Sequence, residues 1–200
     1  MHFDFCIFNS LMGTLLSDQT FSKLNSTQSN LEPADYENCT FKHCDFSNTN
    51  FSKFKFIDCE FYECNLSVSS ISNTSFQDVS FTNCKLLGLR FDIANQFGLS
   101  LYFENCTLNH SSFYKCRLPK IKMEGCQLQE VDFSESDLSD AVFTGCDLMH
   151  ATFEKTNLEK ADFRMASNFS IDPENNKLKK AKFSKDGLAG LLTKYQLQID

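Results

Sequence analysis

The sequence predicts an all-β solenoid, a fold in which short extended segments and corners alternate around a single axis. Three observations support this class. A large apolar residue recurs at every fifth position, a small residue recurs two positions before it, and glycine and proline are scarce, at 7 and 3 of 200 residues. This scarcity argues against a flexible chain, and a hydrophobic content of 42% is sufficient for a core.

The column of large apolar residues is unbroken over two long stretches. It comprises Leu31, Tyr36, Phe41, Phe46, Phe51, Phe56, Phe61, Leu66, Ile71, Phe76, Phe81, Leu86 and Phe91, and then Phe103, Leu108, Phe113, Leu118, Met123, Leu128, Phe133, Leu138, Phe143, Leu148, Phe153, Leu158 and Phe163. On an α-helix a step of five residues advances about 500°, so these side chains would scatter around the axis. In a continuous strand they would alternate between faces, because the side-chain period is two. An extended segment that turns a corner once per repeat points all of them inward.

The second column, two residues before the first, holds mostly Cys, Ser, Thr, Ala and Val. Positions two apart share one face of an extended segment, so both columns are expected to face the axis. Nine of the ten cysteines lie in this column, and Cys6 is the exception. A cysteine is expected to behave there as a small apolar residue, and the spacing matches no common zinc site. We therefore expect neither a metal site nor a cofactor.

The repeat of a small residue, a polar residue, Leu or Phe and two variable residues resembles the pentapeptide-repeat family over about residues 31–183. This resemblance implies a right-handed quadrilateral β-helix. Within the family the chain is similar to the topoisomerase-protecting branch, which includes the Qnr, McbG, MfpA and AlbG proteins, and it is most similar to AlbG. The likeness rests on an interruption near the middle, on the tail from Ser170 to Ser184, and on a Leu-rich terminal segment.

The resemblance also implies a function without catalysis. Members of this branch dimerise through their C-terminal ends into an acidic, DNA-like rod, which interacts with DNA gyrase or topoisomerase IV and protects it from quinolone, albicidin or microcin inhibitors. The alternative is a structural or scaffold repeat protein with another protein partner. The sequence has no Ser-His-Asp grouping, phosphate loop or HExxH motif, so no enzyme is expected.

The charge balance limits the kinds of partner. The net charge is −7 and the isoelectric point about 5.1, whereas proteins that neutralise phosphates present an excess of Lys and Arg. Direct nucleic-acid binding is therefore not expected. No run approaches the ~20 apolar residues of a membrane span, and the N-terminus lacks a basic leader. We expect a cytoplasmic protein.

The five-residue register slips once. The interval from Phe91 to Phe103 is twelve residues, where two repeats need ten. The segment 94–100 is therefore predicted to leave the coil as a loop with exposed apolar side chains. The candidate partner-binding residues are Asn95, Gln96, Phe97 and Leu99. Binding residues favour loops on rigid scaffolds, although a harmless bulge is the alternative.

Residues twenty apart are predicted to stack in consecutive coils if four repeats complete one turn. Lys115 would then lie over Glu135, a favourable cross-strand charge pair. Asp58 would lie over Asp78, which is unfavourable and marks a candidate acidic patch.

The two ends of the chain depart from the repeat. Residues 1–30 are predicted to form a cap or partial coil, and residues 184–200 a C-terminal helix and tail. The predicted helix places on one face Leu188, Leu191, Leu192 and Tyr195, and Ser184 is its predicted N-cap. A helix this short is marginal alone. The apolar face is therefore a candidate dimer interface, and a lid on the open coil is a compatible role.

Overall fold

A computed structural model, which describes residues 14–25 and 31–198, has the architecture of a four-sided parallel β-solenoid. Tyr36 pairs with Phe56, and Phe56 pairs with Phe76, at intervals of twenty residues. Since the repeat has five residues, four repeats complete one coil. The predicted all-β solenoid is confirmed. Of the predicted N-terminal cap, residues 14–25 form part of a first coil, and the rest lies outside the described residues.

Two of the four sides carry parallel sheets. The first sheet contains β1 (Leu15–Ser17), β3 (Asp35–Glu37), β5 (Lys55–Ile57) and β7 (Ser75–Gln77). The second contains β2 (Thr20–Ser22), β4 (Thr40–Lys42), β6 (Glu60–Tyr62), β8 (Val79–Thr82), β9 (Leu101–Glu104), β10 (Lys122–Glu124) and β11 (Val142–Thr144). Isolated bridges hold the other two sides, and short 3-10 helices lie at Phe91–Ile93, Asp186–Leu191 and Thr193–Tyr195. Within the described ranges, no helix has the length and apolar character needed to cross a bilayer.

The large apolar column forms the core as stacked rings. Phe41 stacks on Phe61 with ring centroids 4.7 Å apart, and Phe61 stacks on Phe81 at 4.9 Å. In the C-terminal half, Phe143 stacks on Phe163 at 4.8 Å. These separations follow the spacing of ~4.8 Å between parallel strands, so the backbone ladder sets the ring ladder.

The small column supplies hydrogen-bond donors as well as small volume. The Ser69 hydroxyl donates to the Phe46 carbonyl at 2.6 Å, and the Cys64 thiol donates to the Phe41 carbonyl at 3.4 Å. Both bonds join a small residue to a carbonyl 23 residues earlier. This shared geometry explains why Ser, Thr and Cys interchange in the column, where the sequence suggested only a small apolar residue.

The cysteines are buried thiols. All nine in the described part of the chain are buried and unpaired, and six of them stack in one column: Cys44, Cys64, Cys84, Cys106, Cys126 and Cys146. Burial raises the pKa of Cys59 to about 11 and that of Cys116 to about 12, so these thiols stay protonated at neutral pH. Across residues 14–25 and 31–198, no three or more His, Cys, Asp or Glu side chains are grouped to hold a metal ion.

Most corners of the coil place one residue in the left-handed region. Most corner residues are Asn, Asp, Gly, His, Lys or Glu, but Val68 has a φ of 58° and is 66% exposed. A β-branched residue is strongly disfavoured in this conformation. The corner at Val68 therefore carries strain that packing does not offset.

Val68→Asn is expected to stabilise the protein by about 1 kcal/mol, because asparagine tolerates the left-handed region at lower cost. The matched control is Asn48→Val at the same corner one coil earlier, where φ is 57°. That change should destabilise by a similar amount. Urea unfolding measures the change in the free energy of unfolding for both variants, provided that the m-value is unchanged. An unchanged midpoint for Val68→Asn would contradict the prediction.

Candidate partner-binding surface

The predicted loop interrupts the side of the coil that carries the first sheet. The pairing interval is 20 residues between Ser75 and Asn95 but 22 between Val79 and Leu101. Five residues, 96–100, therefore stand where a regular coil has three. The loop is shorter than the sequence indicates, because the two residues before it remain in the coil.

Phe97 and Leu99 have opposite environments. Phe97 is 82% exposed, whereas Leu99 is 9% exposed and belongs to the core cluster. The prediction that both are exposed is wrong for Leu99. Gln96 stands where the column requires a large apolar side chain, and Leu99 is the loop residue that enters the core instead. Leu99 is therefore unavailable as a direct contact residue.

Asn95 and Gln96 hold the loop in place. The Gln96 side-chain amide donates to the carbonyls of Phe91 at 2.9 Å and Ala94 at 3.0 Å. The Asn95 side-chain oxygen accepts the backbone N–H of Phe97 at 3.0 Å. These bonds fix the backbone that leads into the exposed ring. Both polar residues thus position Phe97.

The two aspartates of the candidate acidic patch occupy the same corner in consecutive coils. The Asp58 N–H donates to the Gln77 carbonyl at 2.9 Å, and both aspartates are exposed with a φ of 51°. The Ser100 hydroxyl donates to the Asp78 carboxylate at 2.7 Å. The end of the loop therefore contacts the acidic corner, and the two form a continuous surface.

Acidic and tyrosine side chains continue this surface across the second sheet. They are Glu60 and Tyr62 on β6, Tyr102 and Glu104 on β9, and Glu124 on β10. Strand pairing places Glu104 directly beside Glu124, an arrangement of like charges that disfavours folding. Partial burial and the nearby Glu124 and Glu104 raise the pKa of Tyr102. We call these five residues, together with Asp58 and Asp78, the acidic–aromatic surface. Two cations lie beside it, Lys42 on β4 and Lys122 on β10.

The C-terminal segment forms two short 3-10 helices instead of the predicted helix with one apolar face. Gly187 and Gly190 lower the α-helical propensity. The Gly190 carbonyl accepts the Ile171 N–H at 2.9 Å, and a Cβ at Gly190 would collide with Phe169. Ser184 still acts as a cap, since its hydroxyl accepts the Gly187 N–H at 3.1 Å. The segment therefore covers the part of the last coil's end that is formed by Phe169 and Ile171.

The 3-10 geometry gives the four residues of the candidate dimer interface different degrees of burial. Leu191 is partly buried and packs against the core, whereas Leu188, Leu192 and Tyr195 are exposed. A 3-10 helix has three residues per turn, so the predicted spacing does not give one face. The Tyr195 hydroxyl donates to the Glu174 carboxylate at 3.0 Å. Leu188 and Leu192 are the two leucines of the set that remain exposed.

Comparisons with known proteins agree with this architecture. The family model described as the pentapeptide repeat region matches residues 34–113, 96–164 and 122–191. No curated protein sequence matches the chain.

Solved structures of QnrB1 share the fold, and the structure of HetL is also similar to the chain. Trypsin-treated QnrB1, a plasmid-mediated fluoroquinolone resistance protein, has a TM-score of 0.61 and 20% identity, covering 94% of this chain and 99% of that chain. Full-length QnrB1 has a TM-score of 0.56 and 16% identity, covering 92% and 100%. HetL, involved in heterocyst differentiation regulation in the cyanobacterium Nostoc, has a TM-score of 0.49 and 16% identity, covering 86% of each chain. On the match of the family model and the observed coil, the chain belongs to the pentapeptide-repeat family.

Proposed function

We propose that the protein is a non-enzymatic binding protein that contacts DNA gyrase or topoisomerase IV and protects it from inhibitors. The observation that carries this proposal is Phe97, a large apolar side chain that stands 82% exposed on a hydrogen-bonded loop. An exposed aromatic residue on a fixed backbone can enter a pocket of a partner at small entropic cost.

The surroundings of Phe97 indicate a protein partner with basic residues. Ser100 connects the loop to Asp78, and the acidic–aromatic surface extends from this corner over β6, β9 and β10. Tyrosines are enriched at protein interfaces, and an acidic surface attracts a basic partner. The likeness to the topoisomerase-protecting branch supplies the identity of the partner, and the name of QnrB1 as a fluoroquinolone resistance protein supports the same assignment.

The test is a gyrase supercoiling assay with a fluoroquinolone and increasing amounts of the protein. Phe97→Ala should raise the concentration needed for half-maximal protection about 30-fold, because truncating a central aromatic contact costs ~2 kcal/mol. Tyr114→Ala, on a different side of the coil, is the control and should change protection less than about threefold.

One result would reject this function, and another would reject only the role of the loop. Wild-type protein that fails to protect gyrase and topoisomerase IV from a fluoroquinolone, albicidin or a microcin would favour the scaffold function. Equal protection by wild type and Phe97→Ala would leave the family assignment intact but remove the loop from the contact.

A homodimer through the C-terminal ends forms part of the proposal, because Leu188 and Leu192 are exposed beside the open end of the coil. Changing both to Asp should convert a dimer into a monomer, since charges buried in an apolar interface are strongly unfavourable. Light scattering at matched concentration measures the mass. Monomeric wild-type protein, or a variant that remains dimeric, would contradict the prediction.

A further inference from the structure

Charge is distributed unevenly along the chain. Residues 177–200 contain six lysines and two aspartates, which gives this segment a net charge of +4. Because the whole chain has a net charge of −7, residues 1–176 carry −11. Five of these lysines lie within nine residues at the end of the coil: Lys177, Lys179, Lys180, Lys182 and Lys185. We call them the terminal lysine patch. The net charge of the chain therefore conceals a basic end on an acidic rod.

The patch is exposed and mostly unneutralised. All five lysines are exposed, and Lys182 pairs with Asp162 at 3.7 Å. The other four lie more than 4.0 Å from every carboxylate of the described residues, including that of Glu159 in the coil below Lys179. Elsewhere on the coil, stacked lysines do find partners, as Lys115 does with Glu135 at 3.5 Å.

Backbone donors lie beside the lysines at the open end of the coil. In the coil below, Lys160 N–H donates to the Lys179 carbonyl at 3.0 Å. The last coil has no coil above it, so the N–H groups of Leu178, Lys180 and Phe183 have no acceptor among the described residues. Unpaired N–H groups at a sheet edge favour anions. Ammonium groups and backbone donors thus point to the same kind of ligand.

We propose that the terminal lysine patch binds the phosphate backbone of duplex DNA, while the acidic–aromatic surface contacts the protein partner. Phosphate is favoured over carboxylate by the composition of the patch. It contains five lysines, and residues 165–200 contain no arginine. Lysine binds phosphate as a point charge, whereas carboxylate recognition favours the bidentate fork of arginine.

This inference rests on the proposed function and extends it. A type II topoisomerase acts on DNA, so a protein that docks on the enzyme encounters both partners in one complex. The expectation of no direct nucleic-acid contact then applies to the acidic body of the rod and not to its end.

The expected binding is electrostatic, weak and strongly dependent on salt. Five phosphate contacts would give a slope of roughly −4.5 for the logarithm of the binding constant against the logarithm of the salt concentration. The test follows the anisotropy of a fluorescent duplex of about 20 base pairs at roughly 50 and 200 mM salt, with the full chain.

Two triple variants of equal charge change distinguish the patch from the overall charge. Lys177→Glu with Lys179→Glu and Lys180→Glu should weaken binding at least about tenfold. Lys53→Glu with Lys85→Glu and Lys122→Glu changes exposed lysines elsewhere and should have less than about a threefold effect.

A milder variant keeps the test valid if the first triple variant does not fold. Lys180→Gln should reduce the salt slope by about one unit, as expected for the loss of one phosphate contact. An unchanged slope counts against the proposal.

Several outcomes would overturn the proposal. Absence of binding by the wild type at low salt, or an equal loss in both triple variants, leaves no role for the patch. Equally tight binding of polyglutamate would assign the patch to an acidic protein. A salt-sensitive increase in mass without DNA binding would assign it to the acidic body of a second copy. The assay contains no topoisomerase, so its failure and a failure of the proposed function are separate results.

Discussion

Phe133→Ala is expected to lower the free energy of unfolding by about 3–5 kcal/mol. Phe133 is fully buried in the middle of a ring ladder, with Phe113 stacked on one side at 5.3 Å and Phe153 on the other at 5.2 Å. Phe143 packs edge-on against it at 5.9 Å. Truncation leaves a cavity that the neighbouring rings cannot fill, because hydrogen bonds between coils fix their spacing.

The position of Phe133 increases the cost. In a solenoid each coil contacts only its neighbours, so the weakening of one central interface uncouples the two halves. A decrease in the cooperativity of urea unfolding, seen as a lower m-value, is expected to accompany the lower midpoint.

The control is Glu135→Ala, two residues further along the chain. Glu135 forms an ion pair with Lys115 at 3.5 Å, but both side chains are well exposed to solvent, and such pairs contribute about 0–1 kcal/mol. Equal losses for Phe133→Ala and Glu135→Ala in urea unfolding would disprove the assignment of inward and outward positions.

The sequence was sufficient for the coil because one period determines many contacts at once. A side chain such as Phe133 faces inward by its place in a five-residue column. The twenty-residue stacking then follows, and it correctly predicts the contact of Lys115 with Glu135. These contacts required no knowledge of loop conformation.

The same reasoning failed where the period stops. No repeat indicates that Leu99 replaces Gln96 in the core, because this depends on the path of a single loop. The 3-10 helices depend on the close contact of Gly190 with Phe169, which lies outside any pattern in the sequence.

The acidic–aromatic surface was missed for a related reason. Tyr62 aligns through Thr82 with Glu104, an interval of 42 residues, and not the 40 that a regular stack of two coils requires. The signal was therefore present in the sequence, but it appears only after the columns are shifted by two residues across the loop. The regular interval of twenty already places Glu104 beside Glu124, and a register map that included the slip would have joined this pair to Tyr62 and revealed the surface.

Replacing residues 96–100 by the tripeptide Phe-Gln-Asn is expected to preserve the stability of the protein. The same change is expected to abolish the contribution of the loop to the protection of gyrase from inhibitors. The tripeptide restores a regular coil of twenty residues, and its Phe would occupy the column position between Phe76 and Leu118. Its Asn suits the left-handed corner and can donate to Asp78, as Asn38 donates to Asp18 at 2.6 Å.

Removal of residues 96 and 97 alone is the informative control. It also restores the regular interval, but it places Gly98 in the column of large side chains and should destabilise the protein by about 2–5 kcal/mol. Thermal melting should therefore separate the two shortened proteins. In the supercoiling assay the tripeptide variant should need about 30-fold more protein than wild type, because the Phe97 ring is absent. Full protection by a stable tripeptide variant would show that the loop is a structural bulge, and that the partner binds elsewhere on the rod.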